Sequence, residues 1–363
     1  MSSDYGSGKR RIRVGSAAAF LVVLATCGDS EGPTAQEDLP LEPADSPHLP
    51  SRGFHKGFAS VLPPDGDFEA AYARAAAHGD FVGTWVGDAG TGYWNLGSVL
   101  EGAWGQQFVE ELTRNKGMFP IINLSFMDRD PATGNLVLLS PPGEGYTGLA
   151  DPAFREAYLQ GAMEAVRASR PLYLSLGNEV NRWWEQYGSE SGDPMGFQHF
   201  VSLYQEVYDA VKAISPDTRV FCVFAREVVA ANREAALIPL EMFDPGRLDL
   251  LALTSYPFAV QGVNQSSDLP DDYYSRLVQR PGFQGKPVAF TELGWSTLEA
   301  FGGEEEQARF LEDVVGRLTT GQGLNLRLLG WFSLYDLSSD LHGTGLLDIS
   351  GREKEAFAVW GEL

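Results

Sequence analysis

The stretch Pro171-Leu-Tyr-Leu-Ser-Leu-Gly177 is apolar almost throughout and is followed at once by Asn178-Glu179. A strand with one wet face alternates apolar and polar residues, whereas a strand in a parallel sheet is covered on both faces and is apolar throughout. Pro287-Val-Ala-Phe-Thr291 repeats the pattern and is followed by Glu292. Each run therefore predicts a buried parallel strand that presents a glutamate where it ends.

Runs of this kind alternate with helical patterns eight times between residues 53 and 363. Eight parallel strands, each followed by a helix, predict a (β/α)8 TIM barrel, an α/β fold. A doubly wound open sheet is the alternative, but no glycine-rich dinucleotide loop follows the first strand. The predicted strands are 57–61, 81–86, 119–125, 171–177, 219–224, 249–255, 287–291 and 328–333; the predicted helices are 67–77, 106–115, 152–169, 194–214, 271–279, 304–319 and one from about 352, and the enlarged loops are 126–151, 181–193 and 256–269.

Residues 1–26 have the pattern of an export signal. Four basic residues between positions 9 and 13 precede the apolar segment 14–25, which is too short to predict a membrane-spanning helix. The segment ends in Leu24-Ala-Thr-Cys27 and resembles the lipobox of bacterial lipoproteins, except that Thr26 replaces the usual small residue. The resemblance implies lipidation of Cys27 and a place in the bacterial cell envelope, at the outer membrane or cell surface. The alternative is an ordinary cleaved signal and a protein released from the cell.

Residues 27–52 predict an extended tether. They are rich in proline and acidic residues, which stiffen the chain, repel one another and cannot build a core. The sequence thus predicts three parts: a signal peptide at 1–26, an acidic, proline-rich linker at 27–52 and the barrel at 53–363.

The composition narrows the expected ligands. The formal net charge is -22, and phosphate groups are bound through clusters of Lys and Arg, so we expect no nucleic-acid partner and favour a neutral ligand. The five His show no metal-ligand spacing, and two Cys cannot build a zinc site, so we expect no metal and no cofactor. Cys222, in a strand-like run, is expected to be a buried core thiol.

Glu179 and Glu292 are candidate catalytic residues. Two carboxyl groups at one barrel mouth are sufficient to cleave a glycosidic bond, because one protonates the leaving oxygen and the other attacks or stabilises the sugar carbon. The carboxyl ends of the strands are also where such barrels carry their functional side chains. The alternative is a structural role in ion pairs across the mouth.

By these motifs the whole barrel region resembles the clan A glycoside hydrolases, (β/α)8 enzymes with Asn-Glu after the fourth strand and Glu after the seventh. The resemblance implies that Glu179 is the general acid/base and Glu292 the nucleophile of a retaining, double-displacement reaction. It further implies that Asn178 binds the 2-hydroxyl of the substrate, that Tyr256 orients the nucleophile and that Trp331 lies beneath the sugar.

Within the clan, Gly177-Asn-Glu-Val180 is most similar to the motif of family 53 endo-β-1,4-galactanases. Two positions depart from the clan. The second strand continues into Thr84-Trp-Val-Gly-Asp88, where an Arg is usual, and the third strand leads into Asn123, where many members have His. The sugar and the linkage therefore stay open.

Tryptophans that follow strands are candidate sugar platforms, because a flat ring matches the apolar face of a pyranose. Trp85 and Trp183 are the best placed, and packing in the core is the alternative. We also expect Leu176, Trp183 and Trp184 to give Glu179 apolar surroundings, which favour the protonated form of an acid.

Three functions are compatible with these residues: a retaining hydrolase of β-glycosidic bonds in a neutral polysaccharide or oligosaccharide, a transglycosidase with the same residues, and a non-catalytic glycan-binding lipoprotein. Both glutamates together favour an enzyme, since a binding module needs neither an acid nor a nucleophile. We expect a monomer whose partner is a carbohydrate and whose contact with a membrane is the N-terminal lipid.

Overall fold

The structure, a computed structural model, describes residues 40–84, 90–227, 235–319, 324–337 and 343–363. Its main sheet is parallel, and its strands follow chain order around a ring. The strands are β1 (His55–Ser60), β2 (Phe81–Thr84), β3 (Phe119–Asn123), β4 (Tyr173–Ser175), β5a (Arg219–Phe221), β5b (Val223–Ala225), β6 (Leu251–Ser255), β7 (Pro287–Leu293) and β8 (Asn325–Ser333).

The fifth strand closes the ring by dividing at Cys222, which is fully buried. β5a pairs with β4, β5b pairs with β6, and β1 pairs with β8. Beyond β4 the backbone continues the contact, because the amides of Leu176 and Val180 donate to the carbonyls of Phe221 and Val223 at 2.8 and 2.9 Å. The predicted (β/α)8 barrel is confirmed, and an open doubly wound sheet is excluded.

Helices surround the sheet, and in the described part of the chain none is long and apolar enough to span a membrane. Asp151 caps α3 as its sequence position suggests, accepting the Ala153 amide at 3.0 Å with Pro152 in the first turn. The α-helices are α1 (Phe68–His78), α2 (Leu96–Glu101), α3 (Pro152–Ser169), α4 (Asn181–Tyr187), α5 (Phe197–Ile214), α6 (Ser275–Val278), α7 (Gly303–Thr319) and α8 (Glu355–Glu362).

Two predicted helices differ from those observed. The region of 106–115 contains a π-helix, Gly105–Glu111, and a 3-10 turn, Arg114–Lys116, because the chain turns tightly after α2: a Cβ on Gly105 would lie 1.8 Å from the Leu100 carbonyl oxygen. Of 271–279, only α6 is α-helical. The predicted loop 126–151 contains an antiparallel hairpin, Met127–Arg129 with Leu136–Leu138.

The side chains of each strand divide between the barrel interior and the helix layer. On β3, Phe119 and Ile121 point inward and Ile122 outward, so Asn123 also points inward at the top of the strand. The interior cluster fills the barrel below its mouth. Its members are Phe81, Phe119, Ile121, Tyr173, Phe221, Val223, Leu250, Ala252, Ala289 and Leu328.

Residues 40–52 belong to the folded unit, so the prediction that they cannot pack is wrong. The amide of Leu41 donates to the Ile214 carbonyl at 2.7 Å, at the end of α5. Asp45 accepts two hydrogen bonds from the Arg114 guanidinium, at 3.0 and 2.8 Å. These contacts fix the segment against the ends of helices, and the folded unit begins at Pro40 rather than residue 53. The rest of the predicted linker and the signal peptide lie outside the described residues.

Candidate active site

A β-bulge turns Glu292 into the barrel mouth. On β7, Ala289 points inward and Phe290 outward, so an unbroken strand would send Glu292 to the helix layer. Between Phe290 and Glu292, however, β7 advances two residues while its partner β6 advances one. The extra residue reverses the alternation. Glu292 consequently lies at the carboxyl end of the strands, 6% exposed.

Two neutral donors hold the Glu292 carboxyl group. Asn178 Nδ2 donates to Oε1 at 2.9 Å, and Tyr256 Oη donates to Oε2 at 2.6 Å, the hydrogen bond that the sequence predicts. Gly294 allows the Tyr256 ring to pack against β7, because a Cβ at that position would lie 2.9 Å from Cε1 of the ring. The carboxyl group is therefore fixed in direction, and among the described residues it makes no ion pair.

Burial and the charge of nearby Glu179 raise the pKa of Glu292 to about 7. The hydrogen bonds from Tyr256 and Asn178 and the charge of Arg182 oppose that rise in pKa. Because the charge of one glutamate acts on the other, the two carboxyl groups form a coupled pair that shares one mouth.

Glu179 is held in an uncommon backbone conformation. Its φ is +50°, in the left-handed region that costs a non-glycine residue roughly 1–3 kcal/mol. Gly177 precedes it with a φ of +127°, where a Cβ would lie 2.7 Å from Cγ1 of Val180. Val223 on β5b anchors the segment from both sides, donating to the Gly177 carbonyl and accepting the Val180 amide, each at 2.9 Å. The surrounding ladder thus imposes the turn that projects Glu179 over the mouth.

The partners of the Glu179 carboxyl group are polar and charged, so the expected apolar surroundings are wrong. Arg182 Nε, at the start of α4, donates to Oε2, and Thr254 Oγ1, on β6, donates to Oε1 at 2.7 Å. The side chains of Glu179 and Arg182 are each 22% exposed.

The predicted sugar platforms Trp183 and Trp331 are both wrong, because both side chains are fully buried. The ring of Trp183 packs on Phe126, and its N–H donates to the Met195 carbonyl at 2.6 Å. Trp331 points into the helix layer and packs on Trp360 of α8. Neither ring can reach a sugar in the mouth.

Phe332 has the position that the sequence assigned to Trp331. Neighbouring strand residues point to opposite faces, so the residue after Trp331 points inward. The Phe332 ring lies 5.6 Å from the Tyr256 ring, edge to face, and is partly exposed. Sequence reasoning missed Phe332, Arg182 and Thr254. Phe332 lies two positions after Gly330 and four after Leu328, so the inward direction of those two residues would have identified it.

Two amide oxygens at the mouth have no hydrogen-bond partner among the described residues: Oδ1 of Asn178 and Oδ1 of Asn123, where the clan usually has His. In the same described part, no three His, Cys, Asp or Glu side chains come together as metal ligands would. Trp85 and Cys27 lie outside the described residues, so their predicted roles stay predictions.

The barrel is similar to solved structures of glycoside hydrolases. An exo-β-1,4-mannosidase from Opitutaceae bacterium strain TAV5 has a TM-score of 0.59 and 16% identity over 87% of this chain and 61% of its own. A family 39 glycoside hydrolase from Bacteroides cellulosilyticus WH2 has a TM-score of 0.56 and 17% identity over 87% and 65%. Xylanase 10B from Thermotoga maritima has a TM-score of 0.57 and 13% identity over 86% and 94%.

At these identities the likeness establishes the fold. The chain spans less than two thirds of the length of the mannosidase and of the family 39 enzyme. No protein-family profile matches the chain, and no curated protein matches its sequence.

Proposed function

We propose that this protein is a retaining glycoside hydrolase that cleaves β-glycosidic bonds in a neutral polysaccharide or oligosaccharide. The observation that carries the proposal is the pair of carboxyl groups at the barrel mouth, where Asn178 and Tyr256 hold Glu292 and Thr254 holds Glu179. A carboxylate that only stabilised the fold would normally be paired with a cation. Glu292 accepts from two neutral donors instead, which orients a carboxylate and leaves it able to attack.

In the proposed reaction, a Glu292 oxygen attacks the anomeric carbon while Glu179 transfers its proton to the departing glycosidic oxygen. The bond to the leaving sugar breaks, and an ester between Glu292 and the sugar forms. Water then attacks the same carbon, Glu179 takes the proton from that water, and Glu292 leaves as a carboxylate. Two inversions at one carbon give overall retention.

The proton that this reaction needs is already on the pair. With a pKa of about 7, Glu292 holds a proton on a large fraction of molecules near neutral pH, and Arg182 Nε donates to the Glu179 carboxyl group. Transfer of that proton to Glu179 gives an ionised nucleophile and a protonated acid. We propose that substrate binding releases Arg182 from Glu179 and so drives the transfer, since a guanidinium favours an ionised partner.

A neutral sugar suits the polar groups of the mouth. The unpartnered oxygens of Asn178 and Asn123 can accept hydrogen bonds from sugar hydroxyl groups, including the 2-hydroxyl assigned to Asn178. Phe332 offers an aromatic face beside Tyr256, in place of the buried Trp331. Trp85 stays a candidate platform at the end of β2. The net charge of -22 disfavours an anionic polymer.

The test is reducing-sugar release from mannan, xylan, galactan and β-glucan, a panel that includes the linkages of the similar mannosidase and xylanase. We expect the native protein to act on one of these glycans and Glu292→Gln to lose at least a thousandfold of that activity. Glu306→Gln, which alters a carboxyl group 3% exposed on α7, is the matched control and should keep the activity.

The anomeric form of the first product, followed by proton NMR, tests the stereochemistry. Retention is expected, and inversion would exclude the double displacement. Activity that survives in Glu292→Gln would assign the nucleophile to another residue. If no glycan is cleaved but one is bound, the glycan-binding alternative is correct.

We also propose that the protein is exported as a cell-envelope lipoprotein acylated at Cys27, because the segment before it resembles a lipobox. Labelling with a palmitate analogue in a bacterial host should mark the native chain and leave Cys27→Ala unmarked. Cys222→Ala alters the buried thiol of the barrel and should be marked normally. Export of an unmarked native chain would support an ordinary cleaved signal.

A further inference from the structure

A third acidic residue, Glu227, lies just behind the mouth. It follows β5b at a distance of two positions and is 6% exposed. Its Oε2 accepts the backbone N–H of Tyr256 at 2.7 Å. Its Oε1 accepts hydrogen bonds from the hydroxyl groups of Ser255 and Tyr273, each at 2.8 Å. All three donors belong to β6 or to the chain after it, so one carboxyl group joins the end of the fifth strand to the end of the sixth.

The surroundings of Glu227 combine burial with a neighbouring cation and several hydrogen-bond donors. Burial raises the pKa of Glu227, and the charge of Arg226 together with the three hydrogen bonds opposes this rise in pKa. The Arg226 guanidinium lies 3.9 Å from the centre of the Tyr273 ring and donates to the Tyr273 carbonyl at 2.9 Å. Arg226 and Tyr273 thus form one assembly around Glu227, with Tyr274 joined through Ser255.

Tyr256 is held at its two ends by two different carboxyl groups. Glu227 accepts its backbone N–H at 2.7 Å, and Glu292 accepts its phenol O–H at 2.6 Å. The backbone at Tyr256 leaves the sheet at this point, where the 3-10 turn Pro257–Ala259 begins. Strand pairing therefore no longer fixes the residue, and the Glu227 contact replaces it.

We propose that Glu227 is a positioning residue for Glu292, acting through Tyr256. The role rests on the proposed function only in taking Glu292 as the nucleophile. Glu227 does not face the mouth and touches no reacting group; it sets the point from which the Tyr256 phenol reaches the Glu292 carboxyl group.

The substitution Glu227→Gln separates this role from simple space filling. Gln has the same size but replaces one acceptor oxygen with an NH2 donor, and three donors point at the two oxygens of Glu227. A donor then faces a donor, and Tyr256 or its neighbour has to move. The Tyr256 hydrogen bond lowers the pKa of Glu292, so its loss raises that pKa further. The charged groups that act on Glu292, Glu179 and Arg182, are unchanged in the variant.

The test is a titration of the glutamate side chains by carbon-13 NMR, with the Glu292 signal assigned by its absence in Glu292→Gln. Glu227→Gln and Tyr256→Phe should each move the Glu292 midpoint to higher pH. The double variant should move it no further than one of them alone, because both changes act on one contact. Glu306→Gln, the same chemical change on α7, should leave the midpoint in place.

An unchanged midpoint in Glu227→Gln, or shifts that add in the double variant, would overturn the proposal. If Glu227→Gln does not fold, Glu227→Asp, which draws the carboxyl group back by one methylene, should give a smaller shift in the same direction. The titration needs no substrate, so it decides the role of Glu227 whether or not a glycan is cleaved. Where the native protein is active, Glu227→Gln should lower kcat about ten- to hundredfold with little change in KM.

Discussion

Arg182 Nε donates to the carboxyl group of Glu179, the residue three positions before it, where α4 begins. The contact puts a cation on the group that has to carry a proton in the proposed reaction. Glu292, by contrast, is nearly buried and has a pKa of about 7. Near neutral pH a large fraction of Glu292 therefore holds a proton, and in the proposed reaction the contact between Arg182 and Glu179 controls whether the pair is ready to react.

Replacing Arg182 tests this control. In Arg182→Met the Glu292 carboxyl group loses a nearby positive charge that lowers its pKa, so the acidic limb of kcat/KM should move to higher pH. The measurement is the pH dependence of kcat/KM on the identified glycan. Arg155→Met breaks an ion pair with Glu206 on the outer helices and should leave the profile as it is. An acidic limb that stays in place would mean that the charge of Arg182 does not act on Glu292.

Glu292→Gln should change how stability depends on pH. The pKa of Glu292 rises from its ordinary value of 4.5 to about 7 on folding, so the folded state binds the proton more tightly. Stability from this group is therefore complete below pH 4.5 and is lost as the pH rises through 7. Gln cannot ionise, so the variant does not lose this stability as the pH rises. We expect the variant to exceed the native protein by up to roughly 3 kcal/mol at pH 8 and to match it at pH 4.

Urea denaturation at both pH values measures this difference. Groups away from the mouth titrate equally in the two proteins and cancel. Equal stabilities at pH 8 would show that the Glu292 charge is well solvated in the fold.

Gly294→Ala should disturb Tyr256 without touching Glu292. The new methyl group would lie 2.9 Å from Cε1 and 3.1 Å from Cδ1 of the Tyr256 ring, which forces the ring to move. We expect kcat to fall at least tenfold and the free energy of unfolding to fall by about 1–3 kcal/mol. The control is Gly316→Ala on α7, where a Cβ meets nothing within 4 Å. That variant should keep its activity and gain about 0.5–1 kcal/mol of stability.

Truncating Phe332 should mainly affect catalysis, whereas truncating Trp331 should mainly affect stability. Phe332→Ala removes an inward, partly exposed ring beside Tyr256, so it should raise KM or lower kcat with a modest loss of stability. Trp331→Ala removes a buried ring from the helix layer and should cost about 3–5 kcal/mol of stability. Thermal unfolding and steady-state kinetics on both variants separate the roles. A Trp331→Phe variant with stable fold and lost activity would restore the sugar-platform assignment.

Removing residues 40–52 should destabilise the barrel. A chain beginning at residue 53 lacks Asp45, whose carboxyl group accepts two hydrogen bonds from the largely buried Arg114 guanidinium. A hydrogen bond to a charged group contributes about 1.5–3 kcal/mol, so a chain from residue 53 should melt several degrees below one from residue 40. Asp45→Asn in the longer chain should reproduce part of the difference. Equal melting temperatures would mean that the segment rests on the barrel without stabilising it.

The fold was predictable because the information lies in local runs of sequence. Strands such as β3 and β6 are apolar except at their carboxyl ends, and that property marks a sheet covered on both faces. The strand positions of Glu179 and Glu292 followed from counting these runs. The hydrogen bond from Tyr256 to Glu292 followed from the clan resemblance.

The apolar character of these strands does not show, however, which face of the sheet a single residue points to. A strand that is apolar on both faces has no alternation of polar and apolar residues to distinguish the two faces. The sequence therefore predicts that Trp331 points inward, whereas Phe332 is the residue that does so. The bulge that turns Glu292 inward is likewise invisible in Phe290-Thr-Glu292. Asp45 needed a partner 69 positions away, which no local pattern of prolines and acids reveals.

The division of the fifth strand at Cys222 has a consequence for how this protein meets other chains. A sheet with a free edge exposes a row of amides and carbonyls that can recruit a strand from another molecule, the first step of aggregation. Here β5a and β5b each pair on one side, and their other sides are met by the amide of Asp249 and by the turn from Gly177 to Val180. Among the described residues the main sheet therefore offers no free edge as a template for strand addition.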